Sequence, residues 1–433
     1  MVIQGPSASR WPVGILHSLQ AYPGFRILFV STVATNASFW MWQLLTGWLA
    51  LALTDSPLFV GVVGFLGGIP LLLASLPAGV VIDRVDRRLV LLLAQACVAL
   101  VTALVVLLLW RGWLVSWHLL VAVFLSGTAL SFVFPTRNAM VADLVERDDL
   151  ANAVALNAAG QNAPRVIGPA LAGPLVGGIG ITATVALCAL LQLASLGICW
   201  QLPSRPPRRT TRSVLRSFTE GLTAIWRSDY LLALLAVAAL PTMLVMPYVT
   251  LLPVFARHEL GMGSGGLGLL MALGGLGGLC GSLVVAGWRG LGESPRMLLA
   301  SVIGFGLTVL AFAHAPAVWL AALFLFVAGF LSSVSMSVNM TLLQLSVDDE
   351  VRGRVLSVYL LTWGLLPLGA LPAGAIADTW GAPLAVTALT LLALVAVALS
   401  ALRFPILRAR HPVPRRSAGL LGGEGPGVRP SGS

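Results

Sequence analysis

Apolar runs of span length alternate along this chain with short polar or charged connections. Their limits predict helices near 27–53, 58–82, 89–110, 113–135, 153–177, 181–202, 231–255, 265–288, 297–313, 316–340, 355–377 and 382–402. Each run is close to the roughly 20 residues that carry a helix across a hydrocarbon core of about 30 Å. The alternating ten-residue segments of a lipid-embedded barrel are missing. The expected fold is therefore an all-α membrane protein with twelve transmembrane helices and both chain ends on one side. The first run is long enough to stay as an anchor rather than act as a cleaved signal.

The pattern also repeats itself. "NAMVADLVERDDLANAV" (138–154) and "NMTLLQLSVDDEVRGRV" (339–355) align at a constant offset of 201 residues, which also carries Gly168 onto Gly369 and Gly173 onto Gly374. A register kept over that distance predicts two pseudo-symmetric six-helix halves. We expect the first half at 1–200, a cytoplasmic linker at 201–229, the second half at 230–404 and a disordered basic tail at 405–433. After a Pro/Arg opening, the linker reads as an amphipathic helix with Leu215, Phe218, Leu222 and Ile225 on one face.

Composition strengthens the membrane reading, since 58% of the residues are hydrophobic against about 45–50% in a soluble domain. The net charge of +10 comes from a chain whose 26 basic residues are all arginine. They lie mainly at span ends rather than in an aromatic-interleaved patch, which argues against nucleic acid as a partner. Twenty-three of them fall in the loops and termini of one side, so the positive-inside bias makes both termini cytoplasmic in a cell membrane. Cys97, Cys188, Cys199 and Cys280 lie within apolar runs without metal-type spacing and read as core thiols.

The densest charge is "GVVIDRVDRR" (79–88) between the second and third spans. With Gly79, Asp83, Arg84, Arg87 and Arg88 it fits the pattern Gly-x-x-x-Asp-Arg-x-Gly-Arg-Arg/Lys, with Asp86 at the second Gly. On this loop and the six-plus-six repeat, the chain resembles the major facilitator superfamily. "FRILF" (25–29), "LALTDSP" (51–57) and the helix-1 region resemble the branch of siderophore exporters and macrolide and multidrug efflux proteins. The resemblance implies alternating access, a small-molecule substrate and a proton gradient in place of a cofactor. From the residues, Asp83 can accept from free amides at the start of helix 11, near Arg352 and Arg354. Arg84, Arg87 and Arg88 can pair with Asp143, Glu146 or Asp148. Such a cluster would latch one side shut, or it is a set of topology-setting arginines with incidental acids.

Inside the membrane, Asn157, Gln161 and Arg165 recur every four residues on helix 5. An arginine at that depth costs at least about 2.5–3.5 kcal/mol unless it meets a cavity or a partner. Gly168, Pro169 and Gly173 follow, resembling the helix-5 Gly-Pro-x-x-Gly-Gly motif of exporters, and predict either a hinge or close helix packing. Asn36, Trp40 and Gln43 share a stripe of helix 1. Met243, Met246 and Tyr248 on helix 7, Ser332, Ser333, Ser335 and Asn339 on helix 10, and Tyr359, Thr362 and Trp363 on helix 11 extend the list. They predict a mixed apolar and weakly polar cavity for amphipathic compounds, with lipid-facing aromatics and packing serines as the alternative.

Mid-span acids are missing, Asp55 and Asp378 lie near the outer ends, and Asp83 is the expected proton carrier with help from Arg165. The expected function is proton-coupled export of drugs or siderophore-like compounds by a monomer. Uptake or lipid flipping by the same fold, and a transport-dead receptor, are the alternatives. The five histidines are scattered and no nucleotide-binding loop occurs, so no enzyme is expected.

Overall fold

Helix ends are set by local chemistry. Ser56 accepts from the Phe59 amide, with Pro57 in the first helical turn, and Asp86 accepts from the Arg88 amide. Each satisfies a donor that a helix start leaves without a partner. The structure, a computed structural model, describes residue 14 and residues 16–204, 214–288 and 293–408.

A short α1 (His17–Ala21) leads into six long helices: α2 (Pro23–Thr54), α3 (Pro57–Arg84), α4 (Arg87–Trp110), α5 (Ser116–Leu144), α6 (Leu150–Ile179) and α7 (Ile181–Cys199). The linker contributes α8 (Val214–Trp226). The second half holds α9 (Asp229–Leu244), α10 (Tyr248–Val254), α11 (Ser264–Gly287), α12 (Pro295–Ala313), α13 (Val318–Ser346), α14 (Asp349–Leu360), α15 (Leu366–Trp380) and α16 (Ala382–Arg403). Two of the expected spans are interrupted. The span at 231–255 breaks around Pro247 between α9 and α10, and the span at 355–377 tightens into a 3₁₀ turn at Leu361–Leu365 just before Pro367. Proline has no N–H to give the ladder and crowds the carbonyl four residues back.

Ten helical segments among the described residues are long and apolar enough to cross a membrane, and α2 and α6 are not among them. These two carry Thr32, Thr35, Asn36 and Gln43, and Asn157, Gln161 and Arg165, respectively, and they pack on each other. The bundle thus keeps its most polar long helices together.

The repeat is visible in the backbone. Gly180 and Gly381, at the same offset of 201, adopt φ of 86° and 89° between α6 and α7 and between α15 and α16. That conformation favours glycine. The halves meet through α6 against α11 and α3 against α15. On the linker, Ile225 is buried and Leu222 packs with it into the second half's core. The side chains of Leu215 and Phe218 lie outside the described residues. The expected tail begins later than 405, because Pro405–Arg408 form a turn that buries Leu407; residues 409–433 lie outside the described residues.

Candidate transport site

Arg165 sits at the middle of α6 with its guanidinium 5.3 Å from the Trp40 ring on α2. Stacking on an aromatic face offsets part of the cost of holding a cation at this depth. Across the boundary between halves, the Arg165 side chain meets the glycine face of α11 at Gly278 and lies within electrostatic reach of Tyr248. Gln43 is exposed. Asn36 is buried and donates to the Thr32 carbonyl of its own helix. Asn157 and Gln161 both donate to Asn138 Oδ1 on α5, at 3.1 and 3.0 Å.

In the second half, Met246, Asn339, Tyr359 and Trp363 line one pocket between α9, α12, α13 and the α14 end, together with Thr242 and Phe305. Met243 stands outside it, with its carbonyl pressed against Gly369.

At the arginine-rich end, Arg87 is ion-paired with Asp143 and also donates to the Ala139 carbonyl. Arg88 turns to Trp200, bonding its carbonyl and lying over its ring, rather than to an acid. Arg84 and Glu146 are exposed, and Gly79 and Asp83 are half-buried on α3. Arg354 pairs with Glu220 of α8 at 2.8 Å, and Arg352 donates to the Val347 carbonyl. The linker helix, packed on both α3 and α14, therefore takes part in a region the sequence assigned to the ends of helices 2, 4 and 11. Just outside the spans, the Tyr22 hydroxyl donates to Asp149 at 2.8 Å, and this bond raises the Tyr22 pKa.

At the opposite end the halves are joined directly. Ser56 and the Leu58 amide donate to Asp378, at 2.6 and 3.1 Å. Asp55 meets Arg257 and His258, and Ser264 donates to the Gly173 carbonyl. Gly168 packs on Trp40, and α6 runs unbroken through Pro169, so these small residues act in close helix contact. Glycine contacts between the halves run from the level of Arg165 to this end, through Gly61, Gly68, Gly173 and Gly275.

A model of the transmembrane secretion effector family matches residues 19–418. The chain belongs to that family. It is a branch of major facilitator membrane transporters rather than of enzymes. This secretion-effector chain is 25% identical to the staphyloferrin A transporter of Staphylococcus aureus, over 79% of its own length and 86% of that protein. It is 28% identical to the multidrug efflux pump Tap of Mycolicibacterium fortuitum, over 79% and 87%. In fold it is similar to a bacterial homologue of the human lysosomal transporter Spinster, with a TM-score of 0.70, 15% identity and coverage of 88% and 98%.

One residue of this secretion-effector chain was misplaced by hydropathy. Arg137 was expected in a loop, yet α5 continues to Leu144 and buries its side chain, which is 1% exposed. It donates to Ser31, Thr32 and Thr35 of α2 at 2.7–2.9 Å and to Ser195 of α7 at 3.2 Å. Gln95 of α4 donates to Thr35 and Ser195 in the same cluster. The signal available was the run of Ser and Thr on helix 1, which needed a donor facing it.

Proposed function

We propose that this protein is a secondary-active exporter that moves amphipathic small molecules, drug-like or siderophore-like, out of the cell by alternating access with proton antiport. The observation that carries this reading is closure of the end away from the arginine-rich loops, where direct hydrogen bonds and glycine contacts join the halves. With the arginines cytoplasmic, the structure corresponds to an inward-facing state whose outer end is sealed. Arg165 on Trp40, together with Asn36, Gln43, Asn157 and Gln161, forms one wall of the cavity. The pocket around Asn339, Tyr359 and Trp363 forms the other. The names of the two curated relatives fit that substrate range.

In this reading the cluster of Gly79, Asp83, Arg84, Arg87, Arg88 and Asp143 acts with Arg352, Arg354 and the linker helix as the inner gate. Asp83 carries the coupling proton. Pro169 and Gly173 let α6 pivot on α11 while Gly168 lets it move against α2, and both halves of a monomer suffice.

The test is steady-state accumulation of ethidium in an efflux-deficient bacterial host. Wild type should lower accumulation, a protonophore should abolish the effect, and Asp83→Asn and Arg165→Ala should each remove most of it. Accumulation that rises with the protein would replace export by uptake. Export that persists with a collapsed gradient would remove proton antiport, and an unchanged Asp83→Asn would remove Asp83 as the carrier.

A further inference from the structure

The second-half pocket contains a buried acceptor that the repeat explains. Asn339 lines it and is 2% exposed. Its Nδ2 donates to the Leu234 carbonyl at 2.9 Å. That bond fixes which end of the amide is which, because a carbonyl oxygen cannot face another. Its Oδ1 then accepts from no group among the described residues.

In the first half, the residue at the same repeat position, Asn138, is exposed, and its Oδ1 accepts from the amides of Asn157 and Gln161. The offset of 201 brings those two positions to Val358 and Thr362. Valine has no donor, and the Thr362 hydroxyl donates to the Tyr359 carbonyl at 2.7 Å. The second half thus has the acceptor without either of the amide partners present in the first. On the pocket wall the Thr242 hydroxyl donates to the Ala238 carbonyl and the Ser335 hydroxyl to the Ser332 carbonyl, so neither proton is directed at Asn339. Phe305, Met336, Tyr359 and Trp363 supply apolar and aromatic surface, and no carboxylate, arginine or histidine lines the pocket.

We infer that this pocket is a binding subsite for an aromatic group bearing an N–H or O–H donor, and that Asn339 Oδ1 receives that donor in place of the amides that Asn157 and Gln161 supply in the other half. The site selects against ligands without a donor, since they leave a desolvated acceptor unpaired. The inference rests on the transporter reading above and names the chemistry of its cargo.

The test is equilibrium binding to the purified full chain in detergent, read by fluorescence anisotropy with two xanthylium dyes. Rhodamine 6G carries secondary ethylamino N–H groups, and its tetraethyl analogue, rhodamine 3B, carries none. Wild type should bind rhodamine 6G about tenfold more tightly than the analogue. Asn339→Leu removes the acceptor. Val358→Asn leaves it in place but restores the amide that Asn157 provides in the first half. Both variants should bring rhodamine 6G down to the level of the analogue and leave the analogue within about twofold of wild type. Equal binding of both dyes by wild type, binding of neither, or a preference that survives in Val358→Asn would overturn the inference. Efflux in cells is scored separately, so a protein that binds selectively but does not export would refute the export reading alone.

Discussion

Gly173 of α6 lies so close to Gly268 of α11 that a Cβ built on it would stand 2.9 Å from the Gly268 Cα, and the reverse distance is 3.0 Å. The repeat supplies a second copy of this contact, Gly374 of α15 against Gly61 of α3, at 2.9 Å in each direction. These close approaches hold the outer ends of the halves together. Gly173→Val would add bulk where backbone already touches backbone, at a cost of about 1–3 kcal/mol. The variant should lower the thermal midpoint of the purified protein and abolish efflux. Gly178→Ala, which meets nothing within 4 Å, should leave both unchanged. A Gly173→Val protein with wild-type efflux would separate this contact from the transport cycle.

Asp378 gathers the Ser56 hydroxyl and the Leu58 amide from the other half at an exposed position. Its replacement by Ala frees donors that water can satisfy, so the loss is modest, about 1 kcal/mol, or roughly a fivefold shift in population. The shift should favour opening at that end. Spin labels replacing the exposed Trp113 and Trp319, in a background without the native cysteines, would report it as a larger long-distance fraction. Identical distance distributions in Asp378→Ala and wild type would show that these bonds do not set the equilibrium.

Arg137 ties α5 to α2 and α7 through the hydroxyls of Ser31, Thr32, Thr35 and Ser195. At the repeat position the second half holds Val338, fully buried, so the fold itself does not require a charge there. Arg137→Met would leave Ser31 and Thr32 without this donor, while Gln95 still serves Thr35 and Ser195, and would cost about 2–4 kcal/mol. Arg137→Lys should fare no better, because an ammonium cannot span two helices as a planar fork does. Both variants should unfold several degrees below wild type in detergent. A lysine variant of full stability would show that charge rather than geometry is what the cluster needs.

The all-helical membrane architecture and the repeat were legible because hydropathy and residue spacing report burial and helix faces directly. Arg137 was not, since a hydropathy window ends where polar residues begin and cannot see that Ser31, Thr32 and Thr35 await a donor from another helix. The proline breaks near Pro247 and Pro367 were also hidden. α6 carries Pro164, Pro169 and Pro174 and still runs unbroken, so proline alone does not decide where a buried helix yields. The pairing of Arg354 with Glu220 depended on where the linker helix lies, which tertiary packing sets.

That ion pair gives the last prediction. Glu220 and Arg354 stand 2.8 Å apart with 36% and 26% of their side chains exposed, and Gly221 packs α8 against the Arg354 carbonyl. Partial exposure limits the pair to about 0.2–1 kcal/mol, weakened further by salt. α8 also touches α3, so displacing it loosens the inner gate on both sides. Glu220→Arg places like charges together and should slow efflux, whereas Glu220→Arg with Arg354→Glu restores the attraction and should recover most of it. If the reversed pair stays as slow as the single variant, the linker helix is held by the packing of Ile225 and Gly221, and the charges are incidental to the gate.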